Sequence, residues 1–228
     1  MATQALFDIG NVFLEPSSTF ARLKAKTHAW LPLLILLVLS VGVIYWWIST
    51  VDFPWLVDRM AAAQAKPEVQ AAMRQMTQKS MMVTSVIGGI IGTLFIYALS
   101  AVYYLIAGKV LGSDIGYGKW FGFTVWTSVP RLLAVPLSAF QIMSSGGRVA
   151  AEDLNMVSLN YLVLHLPASH PWAGFANGVD LTSLWCIFLA VIGLKAWTGR
   201  STGTCVTVAL LPYVILYGLW AAKIAFLG

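Results

Sequence analysis

The stretch WLPLLILLVLSVGVIYWW, residues 30–47, holds no charged side chain. The hydrocarbon core of a bilayer is about 30 Å thick, and a helix needs roughly 20 mostly apolar residues to cross it. With the residues that carry it to position 51, this run is long enough. Arg22, Lys24, Lys26 and His28 stand before it, and Trp46 and Trp47 lie near its end. Four further stretches follow the same rule, over residues 82–107, 120–143, 181–197 and 205–227. The expected fold is an all-α integral membrane bundle of five transmembrane helices, with amphipathic interfacial helices at the N-terminus and in the outer connections.

Composition agrees. The 228 residues are 59% hydrophobic and only 10% charged, against roughly 25% charged in soluble domains. Mean hydropathy is +0.79. So little charge does not cover a water-facing surface. The net charge is +5, an excess that in membrane proteins faces the cytoplasm and anionic headgroups. No basic stripe interleaved with aromatics and no zinc-finger spacing appears, which argues against nucleic acid. Cys186 and Cys205 lie in apolar stretches near opposite ends of their spans. A disulfide needs Cα atoms within about 7 Å, so two free thiols are expected. No small-x-small cleavage site follows the first apolar run, so the first span is expected to be retained.

The basic cluster before the first span places the N-terminus in the cytoplasm. Five spans then leave the C-terminus outside. The cytoplasmic side would hold Arg22, Lys24, Lys26, Lys109, Lys119, Lys195 and Arg200, and the outer side Arg59, Lys66, Arg74, Lys79, Arg148 and Lys223. Residues 1–29 are expected to form a cytoplasmic amphipathic segment, and residues 30–228 a five-span transmembrane domain. In the N-terminal segment Leu6, Phe7, Val12, Phe13 and Leu14 make an apolar patch that Pro16 breaks. Ser17 or Ser18 is the expected cap of a following short helix. Phe20 lies there among Arg22, Lys24 and Lys26, a pattern suited to the inner membrane surface.

The inner loops, near residues 108–119 and 198–204, are short. The outer connections are long. Residues 52–81 read as helical, with Pro67 a first helical residue and Val69, Ala72, Met73 and Met76 at helical spacing. Residues 154–166, LNMVSLNYLVLHL, read as an interfacial or partly buried helix ended by Pro167, the alternative being a sixth span.

The N-terminal patch, EPSSTFARL, the basic residues after it and WLPLLILLVLSVG together resemble the Yip (Ypt-interacting protein) family. The resemblance covers most of the chain, including the long connection after the first span and GYGKWFGFTVWTSVPRLL leading into the third. Pro16, Phe20 and Leu23 carry its most specific part. It implies a multi-pass membrane protein with a cytoplasmic N-terminus and no catalytic residues. Eukaryotic members are associated with Rab-type GTPases and vesicle traffic. This chain lacks their long polar N-terminal region and is similar to the compact bacterial kind, which implies the bacterial inner (plasma) membrane.

One charge falls inside a span. Arg131 lies midway between Trp120 and Met143, roughly 16 Å from the inner edge of a straight helix. Arginine there costs about 2.5–3.5 kcal/mol on insertion scales, so it is expected to face the bundle interior or a wet cavity. Pro130 has no N–H for the carbonyl of Trp126, nor Pro136 for that of Leu132. A guanidinium has five donors for such acceptors. Two readings stand: Arg131 ties a kinked helix to its neighbours, or it binds an anion or a lipid headgroup. Asp180, Asp153 and Glu152 are its candidate carboxylate partners.

Gly88 and Gly92 fall on one face of the second span, where small residues let helices approach closely. Gly218, Ala222 and Ala225 of the fifth span are the candidate matching surface, within the monomer or between copies. His165 and His170 are weak metal candidates with Glu152 or Asp153, at a spacing that fits no standard motif. The methionines at 60, 73, 76, 81 and 82 read as adaptable packing before soft-metal capture. No zinc-protease, nucleophile-elbow or phosphate-loop motif appears, so neither an enzyme nor a cofactor is expected. The partners expected are membrane lipids, and a second copy or another protein. The leading functional expectation is a non-enzymatic protein that organises membranes or partner proteins. The alternative is a transporter or channel with a cavity around Arg131.

Overall fold

The computed structural model describes residues 2–227. Helices α1 (Ala2–Leu14) and α2 (Pro16–Ala25) precede the first span, α3 (Trp30–Thr50). Two short helices follow, α4 (Phe53–Ala62) and α5 (Pro67–Arg74), and then the second span, α6 (Gln78–Val110). The third span, Tyr117–Ser144, is α7 (Tyr117–Thr127), a 3-10 turn over Val129–Leu133, and α8 (Ala134–Ser144). A 3-10 turn at Ala151–Leu154, a π turn at Asn160–Leu164 and α9 (Ala173–Gly178) lead to α10 (Leu181–Thr198) and α11 (Thr202–Leu227). Five helical segments are thus long and apolar enough to cross a membrane, where the sequence places them. The fold is an all-α membrane bundle. Among the described residues the sole β pairing is an isolated bridge between Ser158 and Asp180.

The largest boundary difference is at the start of α6, four residues earlier than expected. The Gln78 amide donates to the Ile48 carbonyl at 2.6 Å, and Met81 is buried. At 33 residues α6 is about 50 Å long, so its ends outrun any hydrocarbon core. Pro16 is the first residue of α2, and its fixed φ suits that place. Glu15 therefore takes the cap position expected of Ser17 or Ser18. The Ser18 hydroxyl bonds Glu15 instead, at its carbonyl and its carboxylate. Pro67 opens α5 as expected, although no residue of α5 is buried.

Contacts divide the chain into two compact units. The first comprises residues 2–38, 92–131 and 182–220. Its centre is aromatic: Phe20, Trp120, Phe123, Trp126 and Trp197 are fully buried. Cys186 and Cys205 are buried in this unit and are not joined in a disulfide, as expected. The second comprises residues 39–91, 132–181 and 221–227. Its core is Trp47, Ile48, Val51, Leu56, Met81, Ile142 and Val149, with Met60 and Met82 packed against it. The Trp47 indole donates to the Val149 carbonyl at 2.9 Å. Gly147, at φ +82°, turns the chain so that its carbonyl accepts from the Asp52 N–H at 2.7 Å. A Cβ there would stand 3.1 Å from the Thr50 carbonyl oxygen, so the turn requires glycine on both grounds.

Residues 154–166 form neither the expected interfacial helix nor a sixth span. The N–H of Leu159 bonds the Val179 carbonyl, and that of Leu181 bonds the Val157 carbonyl, which commits 157–159 to bridge geometry. The Asn160 side chain then closes the loop on Leu166, accepting from its N–H at 2.8 Å and donating to its carbonyl at 3.3 Å. One π turn fits in the space left, and His165 ends it at φ +49°.

Candidate functional site

The first unit builds its main feature from the N-terminal helices. α1 carries a single charged side chain, Asp8, which is buried and accepts from Arg22 of α2 at 2.9 Å. Gln4 also donates to Asp8, at 3.2 Å. A half-turn at Glu15 and Pro16 thus joins two helices pinned by an ion pair. α2 buries Thr19, Phe20 and Leu23. Phe20 lies over Gly193 of α10, where an added Cβ would come within 2.9 Å of the Phe20 ring and 2.6 Å of Phe123. The Trp197 indole donates to the Phe20 carbonyl at 2.8 Å. Trp197 in turn meets Trp120 and Phe123, with ring centroids 5.4 and 5.0 Å away. Gly122 and Gly108 of neighbouring helices admit Thr27 and the Trp120 ring in the same way. Phe20 was expected at the membrane surface. It is instead fully enclosed by protein, because α10 presents Gly193 to it.

Arg22, Lys24 and Lys26 stay exposed around this lock. The Lys119 ammonium donates to the Lys24 carbonyl at 2.8 Å, and Arg200 donates to the Leu111 carbonyl. Lys195 bonds the Thr202 hydroxyl at 3.0 Å. These contacts gather the chain's basic residues from α2 and from both short loops into one unit.

The TSVPRLL stretch behaves differently from its expected role. α7 ends at Thr127, and Pro130 sits in the 3-10 turn. Val129 and Pro130 are buried, whereas Arg131 is exposed rather than enclosed in the bundle interior. The Ser128 N–H closes the end of α7 on the Val125 carbonyl at 3.1 Å. The hydroxyls of Thr127 and Ser128 both donate to the Thr124 carbonyl, at 3.0 and 2.8 Å. Hydroxyls that bond back one turn are a known property of Ser and Thr in helices, and TVWTS before the proline was their signal. Pro136 is the third residue of α8, where an N–H has no helical acceptor in any case.

Another proline does free a carbonyl for a side-chain donor. Pro212 lies inside α11 and leaves the Val208 carbonyl without its helical donor. The Tyr103 hydroxyl supplies it at 2.6 Å.

In the second unit two of the three acidic candidates, Glu152 and Asp153, meet Arg59. Its guanidinium lies 3.1 Å from Glu152 and 3.8 Å from Asp153, and 5.7 Å above the Trp55 ring. Burial and the Glu152 charge push the Asp153 carboxyl above the usual carboxylate range, against the pull of Arg59 and a backbone hydrogen bond. These three residues line a recess of about 190 Å³ with Asn160, Leu166 and Asn177. Asp153, Asn160, Tyr161 and His165 line a second, open one of about 430 Å³. The cavity expected at Arg131 thus has its counterpart around Arg59, a residue that sequence reading passed over. Asp180 is buried beside the bridge to Ser158. The His170 ring accepts from the Trp172 N–H. Among the described residues no three His, Cys, Asp or Glu side chains gather as metal ligands.

The expected glycine packing is also displaced. Around Gly88, Gly92 and Gly218 nothing lies within 4 Å of where a Cβ would stand, and Ala222 is exposed. Within the monomer the close approaches belong to Gly108, Gly122 and Gly193 instead.

Chemically, the first unit offers exposed cations beside an apolar hairpin, and the second a small recess whose arginine is already neutralised. Membrane protein YknW of Bacillus subtilis (strain 168) is 25% identical over 217 residues, 93% of this chain and 89% of the relative. No solved structure matches. The family model for the Yip1 domain matches residues 10–222. A match that begins inside α1, takes in all five spans and ends inside α11 covers the fold and not one motif, and the chain belongs to the Yip1 domain family.

Proposed function

We propose that this protein is a non-enzymatic organiser of the bacterial inner membrane, with α1 and α2 on the cytoplasmic side and the C-terminus outside. The observation that carries the reading is the basic crown of the first unit. Arg22, Lys24, Lys26, Lys109, Lys119, Lys195 and Arg200 lie on or just after α2 and at or near the span ends beside the two short connections, all within the first unit. Basic residues close to span ends set cytoplasmic placement, and each is worth about 1 kcal/mol near an anionic surface. The partner is then the anionic lipid of the inner leaflet. A second copy or another membrane protein belongs to the same reading, since Gly88, Gly92 and Gly218 are open for a close neighbour.

Two measurements on the full chain test this. A cysteine at Lys24 should be blocked by a membrane-impermeant maleimide only after cells are opened. Reconstituted protein should enrich anionic over zwitterionic lipid in its annulus, and Lys24→Gln with Lys26→Gln should reduce that enrichment. Labelling of the Lys24 position in intact cells, or equal enrichment in the charge variant, would remove the reading.

A further inference from the structure

We propose that the recess around Arg59 seats the headgroup of an amine-bearing phospholipid, with its ammonium on Glu152 and Asp153 and its phosphate on Arg59. The inference rests on the membrane placement above but not on its sidedness, and it concerns the second unit, not the basic crown of the first. One guanidinium faces two carboxylates, so the recess carries a net negative charge that a cation would offset. Arg59 makes both contacts through Nη2, and its Nε and Nη1 donate to no described residue. Asn177 also lines the recess, half-buried, and its amide makes no hydrogen bond to a described residue. Acceptors for an ammonium and donors for a phosphate thus stand side by side. Hydrogen bonds between such ionised groups are stronger than neutral ones. At about 190 Å³ the recess is smaller than the roughly 300–1,000 Å³ of clefts for drug-sized ligands, as suits a headgroup. No aromatic side chain lines it. A trimethylammonium has no N–H and is held by aromatic faces, so the recess offers it no seat. A primary ammonium finds the acceptors it needs.

The level of the recess follows from the length of α10. That helix has 18 residues, about 27 Å at 1.5 Å per residue, against a hydrocarbon core about 30 Å thick. It has no length to spare, so its first residue, Leu181, stands at the edge of the core. The Leu181 N–H bonds the Val157 carbonyl, and Asp180 bridges Ser158. The turn Asn160–Leu164 therefore starts at that edge, and it exposes Leu162, Val163 and Leu164 there. Asn160 and Leu166, at the two ends of this turn, line the recess. The opposite wall, Ala151–Leu154, is held on α8 of the third span by the Ser138 hydroxyl, which donates to the Leu154 carbonyl at 2.9 Å. Charged and amide groups thus stand in the headgroup layer, with exposed apolar side chains beside them for the acyl chains. A free solute would have no use for Leu162, Val163 and Leu164. A seat of this kind ties the organising role to one lipid class.

The test uses the full chain, stripped of lipid in detergent and titrated with phosphatidylethanolamine or with phosphatidylcholine of the same acyl chains. Bound lipid is counted by native mass spectrometry. Phosphatidylethanolamine should bind more tightly by on the order of tenfold, the worth of a hydrogen bond to a charged group. Glu152→Gln with Asp153→Asn should bring the two lipids level, while Lys24→Gln with Lys26→Gln should leave the preference as it is. Equal binding of both lipids to the unaltered chain overturns the proposal. So does a preference that survives the carboxamide variant or is lost with the lysines. Soluble phosphoethanolamine separates lipid from free solute. It should compete only weakly, and competition as strong as the lipid's own makes the occupant a solute and overturns the lipid assignment. Should the carboxamide variant not fold, the unaltered chain is photolysed with a phosphatidylethanolamine carrying a diazirine beside its glycerol. Adducts on residues 152–166 are expected, and their absence beside adducts on α6 is the overturning result.

Discussion

The two compact units differ in their main ties, although each also has an indole on a carbonyl and an ion pair. The first joins its helices through glycines that admit rings and through indole donors on backbone carbonyls, as at Gly193 with Phe20 and Trp197. The second closes its long connections with charge: Arg59 on Glu152 and Asp153, Arg148 on Asp52, Arg74 on Asp58. The difference follows the surroundings of each tie. A buried indole that donates to a carbonyl loses little to lipid, since both groups would otherwise lack partners there. An exposed ion pair is screened by water and adds little. Most of the stability is therefore expected in the first unit, and most of the pH response in the second.

The largest expected effect is at Trp197. Trp197→Ala removes a fully buried ring from contact with Trp120 and Phe123 and leaves the Phe20 carbonyl without its donor. Large-to-small aromatic changes in cores cost about 3–5 kcal/mol. Unfolding in bicelles, followed by far-ultraviolet circular dichroism, should shift accordingly. Trp197→Phe should recover most of the packing and not the hydrogen bond. A Trp197→Ala chain as stable as wild type would end the claim that the first unit is locked through its rings.

A glycine pair separates close packing from open surface. Gly193→Ala places a methyl 2.6 Å from Phe123 and 2.9 Å from Phe20, and overpacking of this kind costs about 1–3 kcal/mol. Gly92→Ala meets nothing within 4 Å, and substitutions away from such contacts stay within about 0.5 kcal/mol. Both chains are measured by the same unfolding titration. If Gly92→Ala is the costlier, the small-residue face of α6 is occupied in the membrane and the comparison between the two glycine sets reverses.

That pair also marks the limit of what the sequence makes legible. The five spans are countable, because length and the absence of charge are properties of a single segment. The break at Pro130 follows from one missing N–H. The seat of Phe20 does not follow from any segment alone: it needs Gly193, which lies in a run of ordinary span residues. The rule that a proline frees a carbonyl was sound, but a carbonyl accepts from whichever donor the fold brings. At Pro212 that donor is Tyr103, from another helix, and before Pro130 the hydroxyls of Thr127 and Ser128 both take the Thr124 carbonyl. Likewise Glu152 and Asp153 stand out in the sequence as carboxylates, while Arg59, 93 positions before Glu152, gives no local sign of meeting them. Residues 154–166 have the hydropathy of a helix, and a long-range bridge to Asp180 overrides it.

The smallest expected effect lies at that arginine, and its sign is informative. Arg59 is well exposed in its pair with Glu152, so Arg59→Ala should cost under about 1 kcal/mol. The pH dependence is the sharper measurement. Asp153 has a folded-state pKa above its usual 3.8, from burial first and from Glu152 second. Between the usual value and the raised one, the folded chain binds more protons than the unfolded chain. Stability then falls as pH rises through that window. Asp153→Asn removes this slope, and Arg59→Ala extends the window upward, because it deletes the charge that opposes the shift. Thermal unfolding in detergent, stepped from acid to neutral pH, reads all three chains. Stability that instead rises with pH at Asp153, relative to Asp153→Asn, means that Arg59 outweighs burial and that the second unit gains from its ion pair after all.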